Sequence, residues 1–266
     1  MKIFGKNIEF SADKDVLEIL GDIKPYPAKQ KIPEYYKKTS RNVVDPTDPI
    51  PYGSRFDADG RLKPKASTHL GFKACVPFMD ALISGYILPL WSDIVYEYRD
   101  NDFYLSHNSM LAHPKGIDMS KLAILGEHGP EQVRGIPGVG PMEKAFKYIN
   151  PWKIKTPSGY SCLFIKPMNH FDKRYELVAG IVDTDSYTDN IHFPFILNKE
   201  ILGEKHLFER GTPFVQIIPF KRESWKSEIR DIGEEGLKEE RKTRGILTGM
   251  IQNAYRNIFW SKKRYE

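Results

Sequence analysis

Cysteine is almost missing from this chain. Cys75 and Cys162 are the only two in 266 residues. They lie far apart and outside any Cys-x-x-Cys or Cys/His grouping, which removes support for a disulfide framework or a zinc-ligand set. Long apolar runs are missing as well: no uncharged stretch approaches the ~20 residues that span a bilayer, and Met1 to Asn7 lacks the apolar segment of a signal peptide. A soluble protein of a reducing cytoplasm, with no membrane partner, is the expectation. Charge of one sign is scarce too, since 40 Lys and Arg against 35 Asp and Glu leave a net +5. That is a weak field for so long a chain, and charge by itself names no partner. No Gly-x-Ser-x-Gly elbow occurs, Gly135-x-x-Gly138-x-Gly140 lacks the Gly-Lys-Ser/Thr ending of a phosphate loop, and both cysteines sit in apolar runs that predict buried, inert thiols. Covalent hydrolase and P-loop chemistry are disfavoured on these grounds.

Core-forming residues are plentiful, at 40% hydrophobic and 12% aromatic content, enough for one large domain or two small ones. Residues 11–21 suit a short helix, preceded by Phe4, Ile8 and Phe10, which suit a strand. Between Lys24 and Lys65, seven prolines (25, 27, 33, 46, 49, 51 and 64) exclude long regular elements and predict an extended arm or a wrapped loop. Inside it, Asp57-Ala-Asp-Gly60-Arg61 opens like a calcium loop, but Arg61 and Thr68 stand where oxygen ligands are needed, so a turn is expected. Cys75 to Gly85 reads as a helix with Pro77 in its first turn and Gly85 as its stop. Tyr86 to Tyr98 and Phe103 to Ser106 form a hairpin about Asp100-Asn-Asp102, and residues 108–144 are broken by Gly and Pro into an irregular connection.

Short apolar runs then follow one another at Trp152–Thr156, Ser161–Ile165, Tyr175–Val182, Ile191–Leu197 and Phe214–Phe220, each bounded by turn residues. Closely spaced short strands of this kind predict an antiparallel sandwich, jelly roll or small barrel. In the C-terminal tail, Ile246, Leu247, Met250, Ile251, Ala254, Tyr255, Ile258 and Phe259 recur at helical spacing, predicting an amphipathic helix that packs on the sheet or on a partner. Lys262, Lys263 and Arg264 complement the dipole at its end. The expected division is an N-terminal arm over 1–69, a β core over 70–226 and the helix over 227–266. The fold class is mainly β (α+β).

Several polar groupings could carry chemistry. Asp183 and Asp185 alternate about Thr184, which puts both carboxylates on one face of an extended strand. They read either as a magnesium-holding or water-activating pair or as ordinary turn residues. His170-Phe-Asp172 with His192 or His206 has the order of a two-His, one-carboxylate iron site of a jelly-roll oxygenase, though its context reads as a polar loop. Trp91, Tyr96, Tyr98 and Phe103 suit a sheet core better than a stacking platform. Lys221 and Arg222 with Trp225 and Lys226 pair cations with an indole. They could contact single-stranded nucleic acid or simply form the polar exit of a strand.

Pro157-x-Gly159-Tyr160, Gly180-Ile-Val-Asp183-Thr-Asp185-Ser-Tyr187 and Gly211 with Gln216 resemble, in that order, the motifs of the trimeric dUTPase and dCTP deaminase group. That resemblance implies a β-clip fold. It also implies that Asp183 orients an attacking water, that Tyr187 stacks on a base, and that Tyr160 and Gln216 line a nucleotide site. The chain departs from the group in three ways. Ser186 is inserted before Tyr187, Lys166-Pro-Met-Asn-His170 replaces the phosphate-binding Arg-Ser-Ser, and the glycine-rich C-terminal arm is absent. From about 75 to 225, phrases such as Gly85-Tyr-Ile-Leu-Pro-Leu-Trp-Ser-Asp93, His192-Phe-Pro-Phe195 and Pro219-Phe-Lys-Arg-Glu-Ser-Trp225 resemble a family encoded by tailed phages of marine bacteria.

Together these features point first to a non-enzymatic phage structural or assembly protein, in the host cytoplasm or the virion. It would act without a cofactor through contacts in a homo-oligomer or with other phage proteins. The alternative is a dUTPase-like enzyme that binds or hydrolyses a nucleotide, with magnesium as a possible companion. Its site residues would be Asp183, Asp185, Tyr160, Tyr187, Gln216, Lys221 and Arg222.

Overall fold

The computed structural model describes residues 6–44, 55–56, 62–63, 68–100, 102–107, 123–136, 145–247 and 254–266. The chain opens with strand β1 (Glu9–Ser11), helix α1 (Lys14–Leu20) and the short strand β2 (Tyr26–Pro27). Among its described residues the proline-rich stretch holds short elements, α2 (Glu34–Lys38), β3 (Asn42–Val44), β4 (Arg55–Phe56) and β5 (Leu62–Lys63), and β6 (Thr68–Leu70) follows it. Helix α3 (Val76–Ile83) has Pro77 in its first turn, and then come β7 (Tyr86–Pro89), β8 (Ile94–Arg99), β9 (Asp102–His107), β10 (Leu125–His128) and α4 (Pro130–Val133). The remaining elements are β11 (Ala145–Ile149), β12 (Lys153–Lys155), β13 (Tyr160–Ile165), β14 (Tyr175–Leu177), β15 (Gly180–Val182), β16 (His192–Leu197), α5 (Lys199–Leu202), β17 (Lys205–Phe208), β18 (Pro213–Lys221) and α6 (Gly233–Gly245). The calcium-like run Asp57–Arg61, most of 108–144, and Met250 and Ile251 of the C-terminal stripe lie outside the described residues.

The chain divides into two compact units. The first contains Met1–Gln30, Gly85–Glu223 and Tyr265–Glu266. Its sheets are β15-β13-β18-β7-β2, β10-β11-β16-β14, β17-β8-β9 and the pair β1-β12. Every described pairing within them is antiparallel. This is the mainly β, α+β class that the sequence predicts, and the arrangement is consistent with a β-clip or jelly-roll-like fold.

Strict alternation builds the core. In β16, Phe193, Phe195 and Leu197 point inward while His192, Pro194 and Ile196 do not, the period-two pattern of a half-buried strand. Phe214 sits at the centre: its ring stacks on Tyr175 at 4.4 Å and meets Phe195 at 5.1 Å and Tyr148 at 5.3 Å. Burying these tyrosines requires partners for their hydroxyls. Tyr175 donates to the Phe214 carbonyl at 2.8 Å and Tyr148 to the Pro89 carbonyl at 3.2 Å. Trp91, Tyr96 and Phe103 lie in this core, as their composition suggests.

The run Tyr86–Tyr98, read from sequence as one strand, is two. Pro89 has no N–H to continue a ladder, and Leu90 instead donates to the Thr212 carbonyl at 2.9 Å while Gly211 donates back to the Leu90 carbonyl at 2.8 Å. The chain turns there, so β7 joins the five-stranded sheet and β8 pairs with β9 and β17. Arg210 ties this corner down, donating from its backbone to Asp93 Oδ1 at 2.6 Å and from its guanidinium to the Leu20 carbonyl at 2.6 Å.

The second unit contains Lys31–Ser84 and Ser224–Arg264. Tyr36 stacks on Phe78 at 6.0 Å and Phe72 closes the cluster at 5.2 Å from Phe78. Trp260 Nε1 and Lys263 Nζ both donate to Asp80 Oδ2, at 2.8 and 2.7 Å. The longest C-terminal helix lies over the charged run 233–245 and buries none of its residues; of the apolar stripe beyond it, Tyr255–Phe259 forms a further helical turn, of π type, and residues 248–253 lie outside the described residues. Glu234 and Glu235 in the first turn of the charged helix and Lys242 and Arg244 in its last turn match the helix dipole. Cys162 is buried, and burial pushes its thiol up to about 11. Cys75 is exposed, contrary to the burial expected from its apolar run, because it stands at the N-cap of α3, ahead of the helix's buried residues. Among the described residues no helix is long and apolar enough to cross a membrane.

Gly85 is the most tightly enclosed of the described glycines in the first unit. Its φ is +68°, and a Cβ there would stand 2.0 Å from the Ile217 carbonyl oxygen. Left-handed backbone and a clash with backbone both oppose any side chain. Gly85→Ala should cost on the order of 3 kcal/mol, read as a lowered denaturation midpoint at an unchanged slope.

Candidate functional site

Strand β13 connects the two polar groupings of the first unit. At its N-terminal end the chain reads Thr156-Pro-Ser-Gly-Tyr160-Ser161, and Gly159 takes a φ of +82° that lets the backbone turn into the strand. β15 pairs beside it with Cys162 opposite Val182, which delivers Asp183 next to Ser161. The chain then turns rather than continuing as a strand: Ser186 and Tyr187 donate to the Asp183 carbonyl at 3.0 and 2.9 Å. Thr184 is buried inside this turn, its hydroxyl 2.7 Å from that of Thr156.

The expected common face of Asp183 and Asp185 exists, but a turn produces it, and a cation already occupies it. The Arg222 guanidinium, just past β18, forks onto Asp185 at 2.8 and 2.5 Å and lies 3.3 Å from Asp183 Oδ1. Gly159 N–H adds a third bond to Asp185 at 2.8 Å. The guanidinium and this amide hold the Asp185 carboxyl down at about 2. Asp183 is different. Its Oδ1 accepts from the buried Ser161 hydroxyl at 2.6 Å, its Oδ2 accepts nothing from the described residues, and its side chain is 60% exposed against 9% for Asp185. A carboxylate clamped through one oxygen and open at the other can hold and orient a water molecule.

Other residues expected here divide between several places. Arg222 also donates to the Tyr160 carbonyl at 3.1 Å, and the Tyr160 hydroxyl accepts from Lys6. Lys221 pairs with Glu223 at 2.6 Å. Tyr187 is exposed and lines a cleft of about 150 Å³ with Asp185, Thr188, Glu9, Lys153 and Lys155. Gln216 is buried in β18, where its Oε1 accepts from the Met168 amide at 2.7 Å. Ser161, Thr156 and Thr184, which build the turn, were not singled out from sequence. Their only signal is that they flank the Gly-Tyr and Asp-x-Asp motifs.

At the other end of β13 the loop 166–174 borders a cavity of about 320 Å³ lined by Lys166, His170, Asp172, Arg174, Tyr175 and Thr212, with Pro167 and Pro213. Arg174 forks onto Asp172, with Nε at 2.9 Å and the terminal nitrogen at 2.6 Å, and its other terminal nitrogen lies 3.1 Å from His206 Nε2. Burial would raise the Asp172 carboxyl, but the Arg174 hydrogen bonds overturn that and hold it below its usual range. Burial lowers His170 from its ordinary value, and Asp172 offsets part of the effect. The iron triad read from the sequence is not assembled, because Asp172 and His206 are both engaged by Arg174 and His192 lies on β16, opposite Ile149. Among the described residues no group of three or more His, Cys, Asp or Glu could hold a metal ion. The Asp183/Asp185 pair does not fit a protein-held magnesium either, since Arg222 stands where the ion would be.

The solved structures to which this chain is similar include dUTPases. The equine infectious anaemia virus enzyme matches at 15% identity with a TM-score of 0.25, over 41% of this chain and 98% of its own. A point mutant of the dUTPase of Staphylococcus bacteriophage 80alpha, solved with dUpNHpp, matches at 13% identity and TM-score 0.28 over 57% of this chain and 76% of its own. A second point mutant of that phage enzyme matches at 12% and 0.29, over 57% and 83%. No family model matches the chain, and no curated protein is significantly similar to it.

The Asp185–Arg222 pair has a definite pH signature. A carboxylate held below its ordinary value of 3.8 stabilises the fold fully above that value and loses the contribution as pH falls towards about 2. The thermal midpoint should therefore fall across that window in the wild type. Asp185→Asn should lower the midpoint at neutral pH and flatten the fall; parallel curves would assign the acid transition elsewhere.

Proposed function

We propose that the chain is a nucleotide-binding and nucleotide-hydrolysing protein of the dUTPase-like kind, with Asp183 as the carboxylate that orients the attacking water. One observation carries this reading: Asp183 is held through Oδ1 by the buried Ser161, while its side chain is 60% exposed and Oδ2 accepts no hydrogen bond from the described residues. Tyr187 leaves the same turn with an exposed ring able to stack on a base, beside the cleft that contains Lys153 and Lys155. Asp185, engaged by Arg222, is the part that holds the turn in shape. Magnesium, where it takes part, enters with the phosphates of the ligand. The missing Arg-Ser-Ser means that any phosphate contacts come from other donors.

A second reading, a non-enzymatic phage assembly component of host cytoplasm or virion, is favoured by a different observation. Trp225 and Ile229 are almost wholly exposed beyond β18, and Ile232 is half exposed. Burying such residues against a neighbouring copy or another phage protein would remove apolar surface from water. Both readings accommodate a homo-oligomer.

A thermal-shift screen of deoxynucleoside triphosphates with and without magnesium tests the first reading. A ligand at a hundred times its dissociation constant stabilises the folded state by about 2.7 kcal/mol, a shift of several degrees. Asp183→Asn should keep that shift and lose at least about a hundredfold in turnover. No shift with any nucleotide, or undiminished turnover in the variant, sinks the proposal and favours the assembly reading.

A further inference from the structure

The cavity at the far end of β13 is separate from the aspartate turn. Ser161 and Lys166 are five residues apart along an extended strand, roughly 16 Å, so one small ligand cannot reach both ends of the same chain. The loop that borders the cavity is unusual in its backbone. Asn169 and Phe171, on either side of His170, take φ values of 60° and 55°. Left-handed backbone at two non-glycine residues costs free energy, more so at a bulky one such as Phe171, and survives only where the surroundings over-determine it. Here the surroundings are identifiable: Gln216 Oε1 grips the Met168 amide, and Asp172 Oδ1 grips the Arg174 amide at 3.0 Å. Phe171 is turned outward, 64% exposed, and His170 lines the cavity.

The donors in that lining exceed its acceptors. Lys166 Nζ directs two of its three protons at the Tyr175 carbonyl, at 2.6 Å, and at Glu176, at 2.9 Å. Arg174 directs three of its five N–H groups at Asp172 and His206. The His170 ring has no hydrogen-bond partner among the described residues, and Thr212 contributes a hydroxyl. Lys166 and Arg174 are balanced by Glu176, 2.9 Å from Lys166, and by Asp172, so it is the N–H groups these pairs leave unused, with the His170 ring and the Thr212 hydroxyl, that face an incoming ligand. We propose that this cavity binds a compact oxyanion, the phosphate or carboxylate head of a small molecule, with His170, Lys166, Arg174 and Thr212 as donors. Arg174 then serves both as donor and, through its fork to Asp172, as the strut that keeps the loop in its strained shape.

The test uses the whole chain and no nucleotide, so it succeeds or fails independently of the role given to Asp183. Inorganic phosphate and acetate are titrated separately at constant ionic strength, with chloride as the replaced anion, and the thermal midpoint and binding heat are followed. Saturable stabilisation by one of them is expected, and which one acts identifies the head group. His170→Leu and Thr212→Val should each weaken binding at least tenfold. Thr212→Val is the smaller change and serves where His170→Leu folds poorly. No saturable effect from either ion, or an effect unchanged in Thr212→Val and in folded His170→Leu, overturns the proposal.

Discussion

A nine-residue strand buried in the middle of a sheet must satisfy its backbone on both edges and its side chains on both faces, and β18 does this for the whole first unit. It pairs with β13 on one side and β7 on the other, with Ile217 opposite Phe164 and Tyr86. The β7 side leaves no room for an atom beyond hydrogen on Gly85. Along its length β18 also meets three separate demands. Phe214 near its start centres the aromatic core, Gln216 in its buried middle fastens the 166–174 loop, and Arg222 just beyond its end closes the aspartate turn. A shift of register by one residue would invert every one of these side chains, so core, loop and turn depend on one pairing.

The two aspartates of the turn show how environment divides roles between like groups. Asp185 receives a forked guanidinium and a backbone amide and is nearly enclosed, so its charge is neutralised within the fold. Asp183 sits two residues away, receives a short hydrogen bond from Ser161 at Oδ1, and leaves Oδ2 without a hydrogen bond from the described residues on a largely exposed side chain. Arg222 serves the second aspartate mainly by serving the first: with the guanidinium fixed on Asp185, it lies 3.3 Å from Asp183 Oδ1 and biases which oxygen remains open. A single cation thus sets the geometry of the open carboxylate without occupying its free side.

Much of the fold was legible because strands with one inward face advertise themselves by alternation, as Phe193, Phe195 and Leu197 do, and because turn residues separated them. The break at Leu90 was not legible, since Tyr86–Tyr98 is continuously apolar and only the hydrogen bonds to Gly211 and Thr212 divide it. For the site, the motif residues Asp183 and Asp185 stood out in sequence, but their partner was hidden. Arg222 is 37 residues from Asp185 and looked like the basic exit of a strand. Ser161, Thr156 and Thr184 have no distinctive chemistry as residue types; burial and mutual hydrogen bonds give them their roles. Of the left-handed backbone at Asn169 and Phe171 only half had a signal in the sequence, because asparagine hints at such a conformation and phenylalanine does not.

That backbone bears on why the loop is retained in this form. Each non-glycine residue held in a sparsely populated conformation costs about 1–3 kcal/mol, and two of them flank one histidine. A glycine at either position would relieve the strain while leaving the Gln216 and Asp172 contacts in place. The outward Phe171 recovers little through burial, so packing does not account for the arrangement. What the strain does achieve is directional: it places an imidazole with no hydrogen-bond partner among the described residues beside Lys166, Arg174 and Thr212 in the lining of the cavity of about 320 Å³. Stability gains nothing from that placement, whereas a ligand needing donors from several sides would.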